Sequence, residues 1–317
     1  MEILEGIERE RIAQLRAADE FFWLDLLAPS PEELQALGEI FELHPLALED
    51  TQSFGQRPKL DEYGDKVLMV FYGMHSEETA DAEHQLVEVH LHVSGSWLVT
   101  VHRDPCAHLR EAKRLAHEKT LRSEEYVVYK VLDALTDSFF PVLERLDDRI
   151  DELEDAMADR PGRADRQEIF VLKRELVAMR QRVSPQRDLL ASGGDLIQRL
   201  PGFVSDEAHD YFRDVYDHLL RISEQIDAYR EMLSGTLDIY LATESNRLSE
   251  AGTRLAIVAT IFLPLTFVTG FFGQNFGWLV RHIDSTWTFF LFGVGGLIAP
   301  LVVLGILLRR AGYLGGG

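Results

Sequence analysis

The stretch "LAIVATIFLPLTFVTGFFGQNF", residues 255–276, decides the fold. Its first 18 residues carry no charge and are mostly apolar, close to the roughly 20 residues a helix needs to cross about 30 Å of hydrocarbon. A second uncharged run of 21 residues covers 288–308. Two such runs at the end of an acidic chain, with a short linker between them, predict transmembrane helices rather than buried core helices. Polar groups in the first run are sparse: Thr260, Thr266 and Thr269, with Pro264 freeing the carbonyl of Thr260. Each threonine hydroxyl is expected to bond back to its own helix. The second run is rich in small residues, Gly293, Gly295, Gly296, Ala299 and Gly305, as befits a packing or lipid-facing helix. Between the runs stand Gly273, Gln274 and Asn275. Amides cost free energy when buried unpaired, so these side chains lie in water or bind something.

Working outward, Arg247 and Arg254 precede the first run and Arg309 and Arg310 follow the second, while the linker holds Arg281 offset by Asp284. This asymmetry predicts both termini on the cytoplasmic side and residues 273–287 outside. The chain of 317 residues has 32 Lys and Arg against 53 Asp and Glu, a net charge of −21. That excess belongs to the first 250 residues. It argues against nucleic acid, for which a Lys/Arg cluster would be needed, and favours cations. The single cysteine, Cys106, fits a reducing compartment. The opening "MEILEGIERERIAQL" lacks the basic and apolar regions of a signal peptide. No nucleophile elbow, P-loop or dinucleotide fingerprint points to an enzyme. Two helices cannot enclose a polar pathway alone, so any transport function requires an oligomer.

Upstream, strands and helices alternate. "FFWLDLLAP" (21–29) reads as a buried strand, and Ser30, Pro31 and Glu33 form the start of a helix with a capping box. Residues 66–74 read as another strand, and the segments flanking Gly95 as a hairpin. His84, His90, His92 and His102 fall in this region without a partner pattern for zinc, so solvated strand-face histidines are expected. From about Tyr126 apolar residues recur in steps of three and four, through Leu132, Phe139, Leu146 and Met157, predicting one long packed helix. The carboxylate run "RLDDRIDELEDAMAD" within it reads first as a solvated face and second as a cation site. Pro161 and Gly162 break this helix, and a second runs back antiparallel to it. A third starts near Ser205 and continues to Phe272, on the order of 100 Å at 1.5 Å per residue.

Four stretches in order resemble the CorA family of divalent metal ion channels: "HPLALEDTQSFGQRPKLDEYGD" from His44, "LKRELVAMRQRVSPQRDLL" from Leu172, "YFRDVYDH" from Tyr211, and residues 234–276. Gly273, Gln274 and Asn275 stand where that family has Gly-Met-Asn. The resemblance implies an α+β membrane protein with a cytoplasmic α/β domain, a long helical stalk or funnel, and two C-terminal transmembrane helices. The corresponding division is 1–120, 121–250, 251–273 (pore-lining), an external loop 274–287, 288–308 and a cytoplasmic tail 309–317. It further implies a homopentamer in the cell membrane, in contact with lipid, conducting Mg²⁺ and in many members Co²⁺ or Ni²⁺, with Mg²⁺ also the regulatory ion and no organic cofactor. The related ZntB branch carries Zn²⁺, and a membrane-anchored sensor that binds Mg²⁺ without conducting it is a further alternative.

By that resemblance Asn275 supplies an amide ring and Gly273 a backbone carbonyl at the outer mouth. Thr266 matches a pore-facing threonine, Leu255 and Leu263 match apolar constrictions, and Asp238 matches an acidic residue farther down the stalk. Asp214 matches a carboxylate that binds regulatory Mg²⁺ between subunits; as an isolated residue it reads equally well as a surface salt-bridge partner. The departures are Gln274 for methionine, Ser249 for asparagine and Gly252 for a bulkier residue.

Overall fold

The structure is a computed structural model that describes residues 1–75, 86–118, 124–159, 162–191, 199–201, 203, 206–274, 277–282 and 285–310. The chain divides into two compact units, Met1–Ile239 and Tyr240–Gly317.

The first unit opens with a six-stranded mixed sheet of order β1-β2-β6-β5-β4-β3. Strands β1 (Glu2–Leu4), β2 (Phe22–Leu27) and β6 (Trp97–His102) run parallel. Strands β5 (Leu86–Val93), β4 (Lys66–Met74) and β3 (Lys59–Tyr63) complete the sheet antiparallel. Alternation along β2 sends Phe22, Leu24 and Leu26 to one face, where they join Trp97, Val99 and Val101. Helices α1 (Arg9–Ala17) and α2 (Pro31–Ile40) cover that face with Ile12, Leu15, Leu34 and Leu37. The start of α2 is the expected one: Ser30 Oγ accepts from the Glu33 amide and the Glu33 carboxylate accepts from the Ser30 amide. Gly95 turns the β5–β6 hairpin with φ of 86°, a backbone region that only glycine enters cheaply.

The histidines depart from expectation. His90, His92 and His102 are buried, not solvated; His84 lies outside the described residues. Helix α3 (Pro45–Gln52) covers His92, and Phe54, just beyond its end, stacks on His90. The Thr51 hydroxyl donates to the Ala47 carbonyl at 2.7 Å and therefore accepts from His92 Nε2 at 2.9 Å. Complete burial, then the charge of His90, pushes His92 down to about 3, so the ring is neutral. His90 Nε2 meets Glu88 Oε1 at 2.8 Å, and Glu88 also accepts from Tyr72 Oη and the Gln56 amide. On the opposite face, His102 Nδ1 donates to the Asp104 carbonyl at 2.7 Å and Nε2 to Asp25 Oδ1 at 3.1 Å. Lys113 on α4 (Ala107–Glu118) reaches the other oxygen of Asp25 at 2.7 Å. Burial alone would raise Asp25, but His102 and Lys113 outweigh it and hold the carboxyl at about 2.

The single long helix expected from Tyr126 is two: α5 (Glu124–Asp137) and α6 (Phe140–Asp159). The break lies at Ser138 and Phe139, where the Ser138 hydroxyl donates back to the Leu135 carbonyl and accepts from the Met74 amide of β4 at 2.7 Å. Pro141, which lacks an N–H, then falls in the first turn of α6, where none is needed. Gly73 lets α5 approach, since a Cβ there would stand 2.9 Å from both Leu135 Cδ2 and Ser138 Oγ.

Helix α7 (Arg163–Ala191) pairs back on α6, with Arg149 bridging to Glu168 and, at 3.1 Å, to Glu175. Helix α8 is one element from Asp206 to Phe272, as the absence of breakers predicted. Leu146, Ile150 and Leu153 of α6, Leu172, Leu176 and Met179 of α7, and Val215, Leu219 and Ile222 of α8 form the buried stripes. The carboxylates Glu144, Asp148, Asp151, Glu152, Glu154 and Asp155 lie exposed, as a solvated face.

Among the described residues of the second unit, two helices are long and apolar enough to cross a membrane: the C-terminal part of α8, and Thr286–Arg310, here α10. The latter contains a π-helical segment, Phe289–Val294. A short helix that the sequence did not announce, α9 (Gly277–His282), lies between them.

Candidate metal centre and helix mouth

In the first unit α5 and α8 each present an i, i+4 pair of ligand residues, Asp133 with Asp137 and Asp214 with His218. That spacing puts both members of a pair on one helix face. His218 Nδ1 lies 3.0 Å from Asp137 Oδ1 and 3.9 Å from Asp133 Oδ1. One ligand atom from each of the three sits within 4.8 Å of the others, all half-buried. Asp214 stands beside this group rather than in it: its Oδ1 is 3.9 Å from His218 Nε2, and its Oδ2 accepts from Tyr129 Oη at 2.9 Å.

Tyr129 stacks on Tyr211 at 4.8 Å between ring centroids. Burial, then the hydrogen bond to Asp214, pushes the Tyr129 phenol up to about 12. Burial raises Asp137 as well, and the charge of Asp133 adds to it against the pull of His218. Lys130 Nζ holds Asp133 at 2.8 Å. Burial alone would lower Lys130, but Asp133 outweighs it and raises the ammonium.

Two carboxylates and an imidazole within reach of one point could hold a cation. Imidazole suits Zn²⁺, Co²⁺ and Ni²⁺ as a direct ligand, whereas Mg²⁺ prefers oxygen and keeps most of its waters, so the carboxylates would hold it with water between. Sequence reading found Asp214 and missed the triple. The available signal was the Asp-x-x-x-Asp of "DALTD", a pattern too common on helices to stand out before the fold sets it against His218.

In the second unit the threonines bond as expected: Thr260 to the Ala256 carbonyl at 2.7 Å, Thr266 to Phe262 at 2.8 Å and Thr269 to Leu265 at 2.9 Å. Helix α8 has a covered and an uncovered face here. Ile257, Ile261, Pro264, Val268 and Phe272 are half-buried, and Gly296 of α10 lies against Val268 and Phe272. At 100° per residue, Leu255, Leu263, Thr266 and Gly270 fall within about 80° of one another and point about 180° away from that covered face. They are exposed, Leu255 by 76% and Leu263 by 71%. Gly273 and Gln274 follow, exposed at the helix end, with the Gly273 amide bonded to the Thr269 carbonyl at 2.9 Å. Asn275 lies outside the described residues. Asp238, in the first unit, is exposed on α8.

A family profile described as "CorA-like Mg2+ transporter protein" matches residues 18–310. The cobalt/magnesium transport protein CorA of Thermotoga maritima is 34% identical over 278 residues, covering 86% of this chain and 77% of that protein. The zinc transport protein ZntB of Cronobacter sakazakii is 28% identical, over 80% of this chain and 77% of its own length. Among solved structures, the CorA magnesium transporter of Methanocaldococcus jannaschii superposes with a TM-score of 0.81, covering 92% of this chain and 91% of that one at 23% identity.

Proposed function

The chain belongs to the CorA-like Mg²⁺ transporter family, and on that premise we propose that it is a passive channel for Mg²⁺ uptake, carrying Co²⁺ and Ni²⁺ as well. It is a membrane protein and a divalent cation transporter of that family, not an enzyme. The observation that carries the channel reading is the uncovered face of α8. Leu255, Leu263 and Thr266 line up opposite the face that packs on α10, which leaves them for other copies of the chain.

Five copies would set these faces around one axis, as the resemblance implies, with α10 outward toward lipid. Asn275, with the Gly273 carbonyl, would then bind hydrated Mg²⁺ through its water shell, an arrangement that avoids the dehydration Mg²⁺ resists. Gln274 would point away from the axis. Asp238 would line the wider inner path. With both termini cytoplasmic, entry of a divalent ion down an inside-negative potential is favourable by about 4.6 kcal/mol per 100 mV. The division at residues 120, 250, 273, 287 and 308 follows the same reading.

Gating would follow from cytosolic Mg²⁺ at the Asp133–Asp137–His218 group and Asp214, where a bound ion favours the closed arrangement and its loss releases it. The imidazole of His218 favours a second reading, Zn²⁺ transport as named for the ZntB relative. Uptake into liposomes with Mg²⁺, Co²⁺, Ni²⁺ and Zn²⁺ in competition separates the two. Preference for Mg²⁺ supports the first, preference for Zn²⁺ the second, and no flux of any ion leaves a non-conducting sensor.

A further inference from the structure

No basic run stands out in the linear sequence, yet the fold gathers four arginines around one cleft. Arg57 comes from the segment between α3 and β3, Arg180 and Arg182 from α7, and Arg230 from α8. With Gln181 and Ser184 they line a cavity of about 480 Å³. Asp227 pairs with two of them, Arg180 Nε at 2.8 Å and Arg230 Nη1 at 3.0 Å. Arg57 and Arg182 form no ion pair with another described residue; the Arg182 guanidinium lies 4.7 Å above the Tyr72 ring. Four arginines against one carboxylate leave an excess of three positive charges on the residues around this cleft, in a chain whose net charge is −21.

Like charges gathered around one cleft repel, and the arrangement gains most from a compact multivalent anion. Guanidinium presents a planar fork of donors that matches phosphate oxygens two at a time. The cavity volume falls in the range of small-molecule sites. An acidic helix from another copy would offer carboxylates in i, i+4 pairs strung along a rod, a less compact anion than condensed phosphates. We propose that this cleft binds a polyphosphate anion, two or more condensed phosphates either free or as the tail of a nucleoside triphosphate. Such a ligand would tie α7 to α8 and to the segment before β3. This site is separate from the cation group and goes beyond the channel reading.

The test is calorimetric titration of the full chain in detergent, stripped of divalent cations so that chelation contributes no heat, at constant ionic strength. Inorganic tripolyphosphate is expected to bind saturably and orthophosphate far more weakly. Arg57→Gln and Arg182→Gln are each expected to weaken tripolyphosphate roughly tenfold or more. Arg57→Lys, which keeps the charge and loses the fork, should weaken it less and guards against a folding defect. Equal affinity for ATP and tripolyphosphate assigns recognition to the phosphate chain alone; tighter ATP binding assigns part of it to the nucleoside. The proposal is overturned if tripolyphosphate shows no saturable binding at millimolar concentration. It is equally overturned if the cleft variants bind like the wild type, or if Arg166→Gln, outside the cleft, loses as much as they do.

Discussion

His218 Nδ1 lies 3.0 Å from Asp137 Oδ1, so a residue of the long helix α8 and one of α5 share a half-buried contact that a cation could take over. Asp137 is raised above its ordinary 3.8 by burial and by Asp133. A carboxyl raised in the folded state contributes stability that is full below its unfolded value and lost as pH rises through the folded one. Cation-free protein should therefore lose this contribution from 3.8 upward, and the stabilisation conferred by Mg²⁺ or Co²⁺ should grow over the same window. A ligand at 100 times its Kd adds about 2.7 kcal/mol. Asp137→Asn should remove most of that increment and its pH dependence, as read from thermal unfolding with and without the ion. An unchanged increment in the variant would place the binding elsewhere.

Asp25 makes a different prediction. Its carboxylate, 2% exposed, holds His102 and Lys113, and Asp25→Asn leaves both cations without it, a loss of about 3–5 kcal/mol at neutral pH. Because Asp25 is depressed to about 2 from 3.8, the wild type should shed its advantage as pH falls through that interval, and the two proteins should converge in acid. Thermal unfolding across pH measures this, and a constant gap down to pH 2 would contradict it.

Gly73 tests the contact between the sheet and α5. A methyl there would stand 2.9 Å from Leu135 Cδ2 and 3.2 Å from the Leu135 carbonyl. Gly73→Ala is expected to destabilise by about 1–3 kcal/mol, while Gly252→Ala, with nothing within 4 Å, should not destabilise. Denaturant midpoints of the two variants decide.

Much of the architecture was legible in the sequence because its signals are local. The capping box at Ser30, the 66–74 strand and the uninterrupted helix to Phe272 each announce themselves within a few residues. The errors were tertiary. Nothing local says that α3 and Phe54 will lie over His92 and His90, or that the Ser138 hydroxyl will accept from the Met74 amide. The Asp133–Asp137–His218 group unites residues 81 and 85 positions apart, and the arginine cleft draws on three segments. The proposed roles of Asp214 and of residues 273–275 rest on resemblance, not on pattern.

Gln274 is exposed at the end of α8, at the position where the resemblance places methionine. If its side chain points away from the ion path, Gln274→Met should keep Mg²⁺ flux within about threefold of wild type, under about 0.7 kcal/mol. A loss of flux in that variant would put the Gln274 amide in the path.

Asn275 carries the proposed filter, and radiotracer or dye-reported Mg²⁺ influx into proteoliposomes under an inside-negative potential measures it. Wild-type protein should conduct, and Asn275→Ala, folded and inserted to the same extent, should lose at least roughly tenfold in initial rate, the equivalent of about 1.4 kcal/mol. Influx through Asn275→Ala equal to that of the wild type would contradict the assignment of the filter.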